Sequence, residues 1–381
     1  MSIKINCLIF MVLFLNQTLL AQVQEDCGRV YLPQNYFDNT TEPMVTYDQG
    51  NTNICYAYTA VQMVDYFWKT FDVKFDRTGW SGQPVLDPLY AAYITKKNRF
   101  LTRTIGNFFS QSGTALDFGV TSDVLKTIKE KGMCRKEIIQ QSFKNYGQNL
   151  GLGMNSEWVI TAFLHYFYAD FFEAKNDLKW YQSWNAQRSK EFRDEHLKRL
   201  CSDPNWKGYC KDFTILLDKL MPQFEKGKYM AVYDEMFKLC NGPNTTYKSF
   251  YPLPDVEKNH YLVTKKPAEV RKRIIDLLNR KYPTPIGIGY CTQVLDNSAS
   301  TGKPCNMHIS MIIGKKMKNN RCHFFLKNTW GEECSPTFDK KWECEYKLER
   351  TKRLGGHRTF GLWLDADDLV RNIFATYHFK Y

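Results

Sequence analysis

Three residues far apart in the chain carry side chains that together can do acyl-transfer chemistry. Cys55 stands where the polar loop "YDQGNTNI" gives way to the apolar run "CYAYTAVQMVDYF". A cysteine at that junction could be half of a disulfide, a small core residue, or a nucleophile at a helix start. A thiol is a weak nucleophile while protonated, and a helix N-terminus with a neighbouring imidazolium lowers its pKa. Of the seven histidines, His165 and His196 fall in a helical stretch where packing or surface roles are expected, and His378 is near the terminus. His308 differs because it begins a strand, "NMHISMIIG". Asn328 follows it by 20 residues and ends another strand, "FFLKNTWGEE". A strand-borne histidine beside a strand-borne asparagine is what a Cys–His–Asn site requires. The amide orients the imidazole, and the imidazole takes the thiol proton.

The elements that must position these residues follow from periodicity. Cys55 to Phe71 reads as a helix, with Ala57, Ala60, Val61, Val64 and Phe67 recurring on one side. Leu86 to Ile94 suggests a second helix, with Asp87-Pro88 at its start, and Thr121 to Lys131 a third, capped by Thr121 or Ser122 and stopped by Gly132. From about 136 to 254 the chain turns long, aromatic and charged, mostly helical by pattern, with a strong breaker at Asn241-Gly242-Pro243-Asn244. Its buried face would draw on Trp158, Phe163, Phe167, Phe171, Trp180, Leu216 and Leu217. After one more helix, "PAEVRKRIIDLLNRKYP", the period becomes two: "PIGIGYCTQV", "HISMIIGKKM" and "CHFFLKNTW" read as strands. "TFGLWLDADDLVRNIFATYHF" closes the chain with a strand, a short helical turn and an edge strand. Helices first and strands last define an α+β class.

The opening residues read as a signal peptide over 1–21, with Lys4, an apolar core from Leu8 to Leu15, and a cleavage site near Ala21. No later segment reads as a membrane span. The expectation is a secreted, periplasmic or vacuolar protein. The formal net charge of +12 falls to +11 once Lys4 is lost. The basic residues are dispersed without a nucleic-acid motif, so they read as a solvated surface. Eleven cysteines remain after Cys7 leaves, and an odd count in an oxidising compartment leaves one thiol over. Cys201 with Cys210 and Cys291 with Cys305 are the expected local pairs, and Cys134 is a partner for the 136–254 stretch. No metal site and no cofactor motif stands out.

"DQGNTNICYAY", "MHISMIIG" and "LKNTWG", in that order, resemble the three signature blocks of the papain-like cysteine peptidases. Gln49 lies six residues before Cys55, as that family's oxyanion-hole glutamine lies before its nucleophile, and "YLPQNYF" resembles the opening of mature family domains. The resemblance covers about 27–135 and 255–370. It implies a two-lobed fold, with a helical lobe over 22–135, a β-rich lobe over 255–381, and a helical subdomain inserted over 136–254. It implies Cys55 as nucleophile, His308 as base and acid, Asn328 as orienter and Gln49 as oxyanion donor. Ser112, Gly113, Met307 and Trp330 would line the substrate cleft, with Trp330 shielding the His–Asn pair. The family places its histidine roughly 130–150 residues after the cysteine. Here the gap is 253 residues, and the excess nearly matches the 136–254 stretch.

The chain also departs from the family pattern. Thr52 and the "SQSG" run at 110–113 stand where the family has a disulfide, and both cysteines are missing together. Ile54 replaces a small residue beside the nucleophile, and Ser112 a glycine on the cleft wall. Gln22 to Tyr31 is too short to act as a propeptide. The expected activity is hydrolysis of peptide bonds in protein or peptide substrates. A catalytically weak binding or adhesion protein on the same fold, with the inserted stretch docking a protein partner, and an acyl transferase using the same thioester chemistry are the alternatives.

Overall fold

The computed structural model describes residues 27–32, 54–71, 86–102, 116, 119–157, 159–161, 163–164, 184–202, 204, 206–243, 245–247, 252–261, 266–295, 305–329, 342–349 and 357–380. The described chain joins helices, mostly in its first two thirds, to one large sheet in its last third. Strand β1 (Val30–Tyr31) is followed by helices α1 (Cys55–Phe71), α2 (Pro88–Thr102) and α3 (Thr121–Lys131). Then come β2 (Met133–Cys134), α4 (Lys136–Leu150), α5 (Ala186–Ser202), α6 (Cys210–Glu225), α7 (Tyr229–Met236) and β3 (Thr246–Tyr247). The chain continues through β4 (Val256–His260), α8 (Pro267–Leu278), β5 (Ile286–Cys291), β6 (Met307–Lys318), β7 (Arg321–Lys327) and β8 (Glu343–Glu349). It ends with β9 (His357–Asp365), α9 (Ala366–Val370) and β10 (Ile373–Phe379).

The sheet runs β4-β10-β5-β6-β7-β9-β8, and β1 also pairs with β6. Every pairing is antiparallel. β6 organises it. β5 pairs along its first half, from Met307 to Ile312. Beyond that, β1 meets Gly314 and Lys315, and β7 lies along the other edge. Gly314 allows this approach, because a Cβ there would stand 2.8 Å from the Val30 carbonyl oxygen. The bridge Cys27–Cys322 ties the β1 segment to β7 across 295 residues of sequence.

Helix α1 supplies the centre of the core: Tyr56, Ala57, Ala60, Val61, Met63 and Val64 are all buried. Its period-3.6 pattern predicted its bounds as observed, and α3 likewise spans the expected Thr121–Lys131. The expected cap of α3 is corrected. Its N-cap is Val120 with no side-chain bond, and the Thr121 hydroxyl donates instead to the Tyr56 carbonyl at 3.2 Å. Helix α2 starts as Asp87-Pro88 suggested, with the Tyr90 N–H donating to the Asp87 carboxylate at 2.8 Å. It runs on to Thr102, past the expected end at Ile94. The expected edge position of the last strand is also corrected. β10 lies inside the sheet, between β5 and β4. β4, with the polar sequence "VEKNH", is the edge strand that covers it.

The ends of the 136–254 stretch are pinned together. β2 pairs with β3, and Cys134 is bridged to Cys240 beside them. The stretch shares its core with the N-terminal helices. Phe237 stacks on Tyr93 at 5.0 Å and meets Tyr90 and Phe143 edge-on or tilted at 5.3 Å. Lys97 and Tyr93 of α2 both bond Asp234 of α7, at 2.6 and 2.5 Å. Phe163, Leu216 and Leu217 are buried as expected, and His196 takes a packing role, stacked on Phe192. Trp158, Phe167, Phe171 and Trp180 lie outside the residues whose side chains are described.

The local bridges Cys201–Cys210 and Cys291–Cys305 form as the spacing suggested. Cys344 is also disulfide-bonded. Among the described residues no helix is long and apolar enough to cross a membrane. The disulfides are consistent with a secreted or lumenal protein. Residues 1–21, expected to form a signal peptide, lie outside the described residues.

Candidate active site

Cys55 is the first residue of α1. The helix is closed at its start by the Ile54 carbonyl, which accepts from the N–H groups of Ala57 and Tyr58 at 2.9 and 3.2 Å. The thiol is half-buried, and Cys55 alone among the described cysteines is in no disulfide. Its place at the positive end of the helix dipole favours the thiolate.

Residues four apart share a helix face, so Cys55, Thr59 and Met63 form one stripe. That stripe is the docking face. The Thr59 hydroxyl donates to the Ile309 carbonyl of β6 at 3.1 Å. Met63 and Thr59 rest on Gly287 of β5, where a Cβ would come within 3.1 Å of the Met63 sulfur and 3.4 Å of Thr59 Cγ2. The absent side chain lets the helix sit close to the sheet. Cys55, one turn before Thr59, begins the same helix face.

His308 and Asn328 meet as their strands predicted. His308 Nε2 lies 2.9 Å from Asn328 Oδ1. The Thr329 backbone N–H donates to the same oxygen at 2.7 Å, and the Ser310 hydroxyl at 3.2 Å. A backbone N–H can only donate, so the oxygen of the Asn328 amide must face this cluster. His308 Nε2 then carries its hydrogen, and Nδ1 is the nitrogen that can take up a proton. Both residues are buried, His308 with 4% of its surface exposed and Asn328 with none. Burial pushes the His308 pKa down to about 4, and the bond to Asn328 opposes the fall only in part.

Two buried tyrosines bear on these residues. Tyr290 on β5 is the cross-strand partner of His308, and its ring stands edge-on to the imidazole at 5.7 Å. Its hydroxyl is 3.4 Å from Ser310 Oγ. Burial raises the Tyr290 phenol strongly, the Ser310 bond lowers it, and the charge of Cys55 raises it further. Tyr377 on β10 is raised to about 12 by burial and then by the charge of Cys55. Both rings therefore stand within the electrostatic reach of the thiol.

Sequence reasoning missed Thr59, Tyr290 and Ser310. Their signal was present: a serine at the second position after His308 shares its face in a strand, and a polar residue inside "HISMIIG" needs a partner. Met307, expected to line the cleft, is at the head of β6 and 67% exposed. Gln49, Ser112, Gly113 and Trp330 lie outside the described residues. Among the described residues no cluster of histidine, cysteine, aspartate or glutamate could hold a metal ion.

No protein-family model and no curated protein matches the chain. Among solved structures, the digestive procathepsin L 3 of Tenebrio molitor larval midgut aligns with a TM-score of 0.35 and 10% identity, over 96% of this chain and 79% of that one. A likeness that slight defines no family.

Proposed function

We propose that the protein is a papain-like cysteine endopeptidase, with Cys55 as nucleophile, His308 as base and acid, and Asn328 as orienter. The observation that supports it most is the His308–Asn328 pair, with its amide oxygen fixed by three donors and with His308 on the strand against which the Cys55 helix docks. In this reading Nδ1 of His308 takes the thiol proton as Cys55 Sγ attacks the scissile carbonyl carbon. The resulting oxyanion is met by the Cys55 backbone N–H at the helix start and by the Gln49 amide. His308 then protonates the leaving amine, the C–N bond breaks and a thioester remains. Water, deprotonated by His308, attacks the thioester, and the proton returns to Cys55 as the acid departs. The stretch 136–254 is a helical insertion in this scheme, packed beside α2, where it limits access or docks a protein partner.

The test is hydrolysis of fluorogenic peptides with and without a thiol-directed epoxide. Cys55→Ala and His308→Ala are expected to abolish turnover nearly equally, because the pair acts as a unit. Asn328→Ala is expected to cost less, and Gln49→Ala about 10²–10³ in rate. Epoxide-insensitive turnover, or full activity in Cys55→Ala, would refute the assignment. A thioester that passes its acyl group to added amines in preference to water would identify an acyl transferase.

A further inference from the structure

We propose that Ser310 and Tyr290 are positioning residues of this site, forming a directed relay, Tyr290 to Ser310 to Asn328, that fixes the tautomer of His308. The proposal rests on the catalytic reading above, but its geometry can be tested apart from turnover. Asn328 Oδ1 can only accept, so the Ser310 hydroxyl 3.2 Å away must spend its hydrogen there. Ser310 Oγ then has only lone pairs to offer Tyr290, 3.4 Å away, so the phenol is the donor. All three side chains are fully buried, and a buried donor without an acceptor is costly. Burial and the nearby Cys55 charge both keep the phenol protonated, as the donor role requires.

The consequence reaches the imidazole. Rotating the Asn328 amide by half a turn would set its NH2 group against the Thr329 N–H, the Ser310 hydroxyl and His308 Nε2. Thr329 opposes that rotation with one backbone donor. Ser310 adds a second, and Tyr290 keeps Ser310 pointing the right way. Tyr290 also bounds the ring directly, edge-on at 5.7 Å. Catalysis needs hydrogen on Nε2 and a lone pair on Nδ1, and the relay selects that state before substrate arrives.

The experiment uses ¹⁵N-histidine labelling of the full chain in a Cys55→Ala background, where the ring is neutral near pH 7. His308 is assigned by its loss in His308→Gln. The parent should show Nε2–H alone. Ser310→Ala should bring a measurable Nδ1–H fraction, and Tyr290→Phe, which keeps the ring and removes only the donor, a smaller one. In the Cys55 enzyme, Ser310→Ala should lower kcat about 2–10-fold, the worth of one hydrogen bond, with little change in KM. The double variant Ser310→Ala/Tyr290→Phe should match Ser310→Ala alone, because Tyr290 acts through Ser310. An unchanged tautomer in folded Ser310→Ala, or additive losses in the double variant, would overturn the relay. If Ser310→Ala fails to fold, Tyr290→Phe decides: a tautomer identical to the parent rejects the proposal. Loss of tautomer selection in a protein that cleaves no peptide would support the relay and refute the peptidase reading separately.

Discussion

Replacing Cys55 by alanine isolates the cost of burying His308. In that variant no thiolate can form to favour the imidazolium, so burial alone sets its proton affinity. A fall from the ordinary 6.5 to about 4 is worth about 3 kcal/mol at 1.36 kcal/mol per pH unit. The folded ring stays neutral while the unfolded one titrates near 6.5, so unfolding takes up a proton between these values. Stability then rises with pH across that window. The contribution is complete above pH 6.5, is lost as the pH falls toward 4, and changes no further below it. His378 acts in the same direction. Its pKa is also pushed down to about 4, by burial first and then by Arg273, Arg280 and Lys380. The measurement must therefore be differential. Urea unfolding of Cys55→Ala and of Cys55→Ala/His308→Gln is followed at pH 7, 5.5 and 4. Both lose the His378 contribution, and only the first should lose a further ~3 kcal/mol or somewhat less. Parallel pH dependences in the two variants would show that the folded imidazole is not held neutral, and the burial argument would fail.

Alkylation of the native protein without reductant, followed by peptide mapping, should label Cys55 and none of the nine described cysteines that are disulfide-bonded; protection of Cys55 would contradict its half-buried place at the helix start. Gly314→Ala should destabilise the protein by about 1–3 kcal/mol, because the new Cβ would stand 2.8 Å from the Val30 carbonyl; a denaturation midpoint unchanged from the parent would show that β1 yields without cost. Phe237→Ala should lose about 3–5 kcal/mol, since it removes the ring shared by Tyr90, Tyr93 and Phe143; a loss below 1 kcal/mol would mean that the 136–254 stretch is not held by this cluster.

The legible parts of the sequence were those with an undisturbed period. α1 and α3 announced their bounds through recurring apolar residues, and β6 and β7 through alternation that places His308 at the head of one strand and Asn328 directly after the end of its neighbour. Elsewhere tertiary contacts decided. The Thr121 hydroxyl looked like a cap and is spent on Tyr56 of another helix. α2 continues through polar Lys96, Lys97 and Asn98, where an apolar pattern ends but helix propensity does not. β4 is too charged to read as a strand, and without it β10 looked like an edge. Ser310, two residues after His308, was readable from the period of the strand, whereas Tyr290 was hidden in the apolar run of β5, where nothing in the sequence marks which strand pairs with β6. Local bridges follow from spacing, whereas Cys27–Cys322 depends on two strands meeting β6 from opposite ends of the chain.

That long bridge also sets an order of events during synthesis. Cys27 leaves the ribosome early, and its partner follows 295 residues later. At roughly 5–20 residues per second the wait is about 15–60 s. Cys55 is the next cysteine to emerge after Cys27, so for that interval the thiol of the proposed nucleophile is the nearest one available for mispairing. A Cys27–Cys55 link would have to be undone by exchange once Cys322 arrives. The yield of molecules with an intact Cys55 thiol then depends on how fast disulfides are reshuffled, and production without an isomerase would lower that yield.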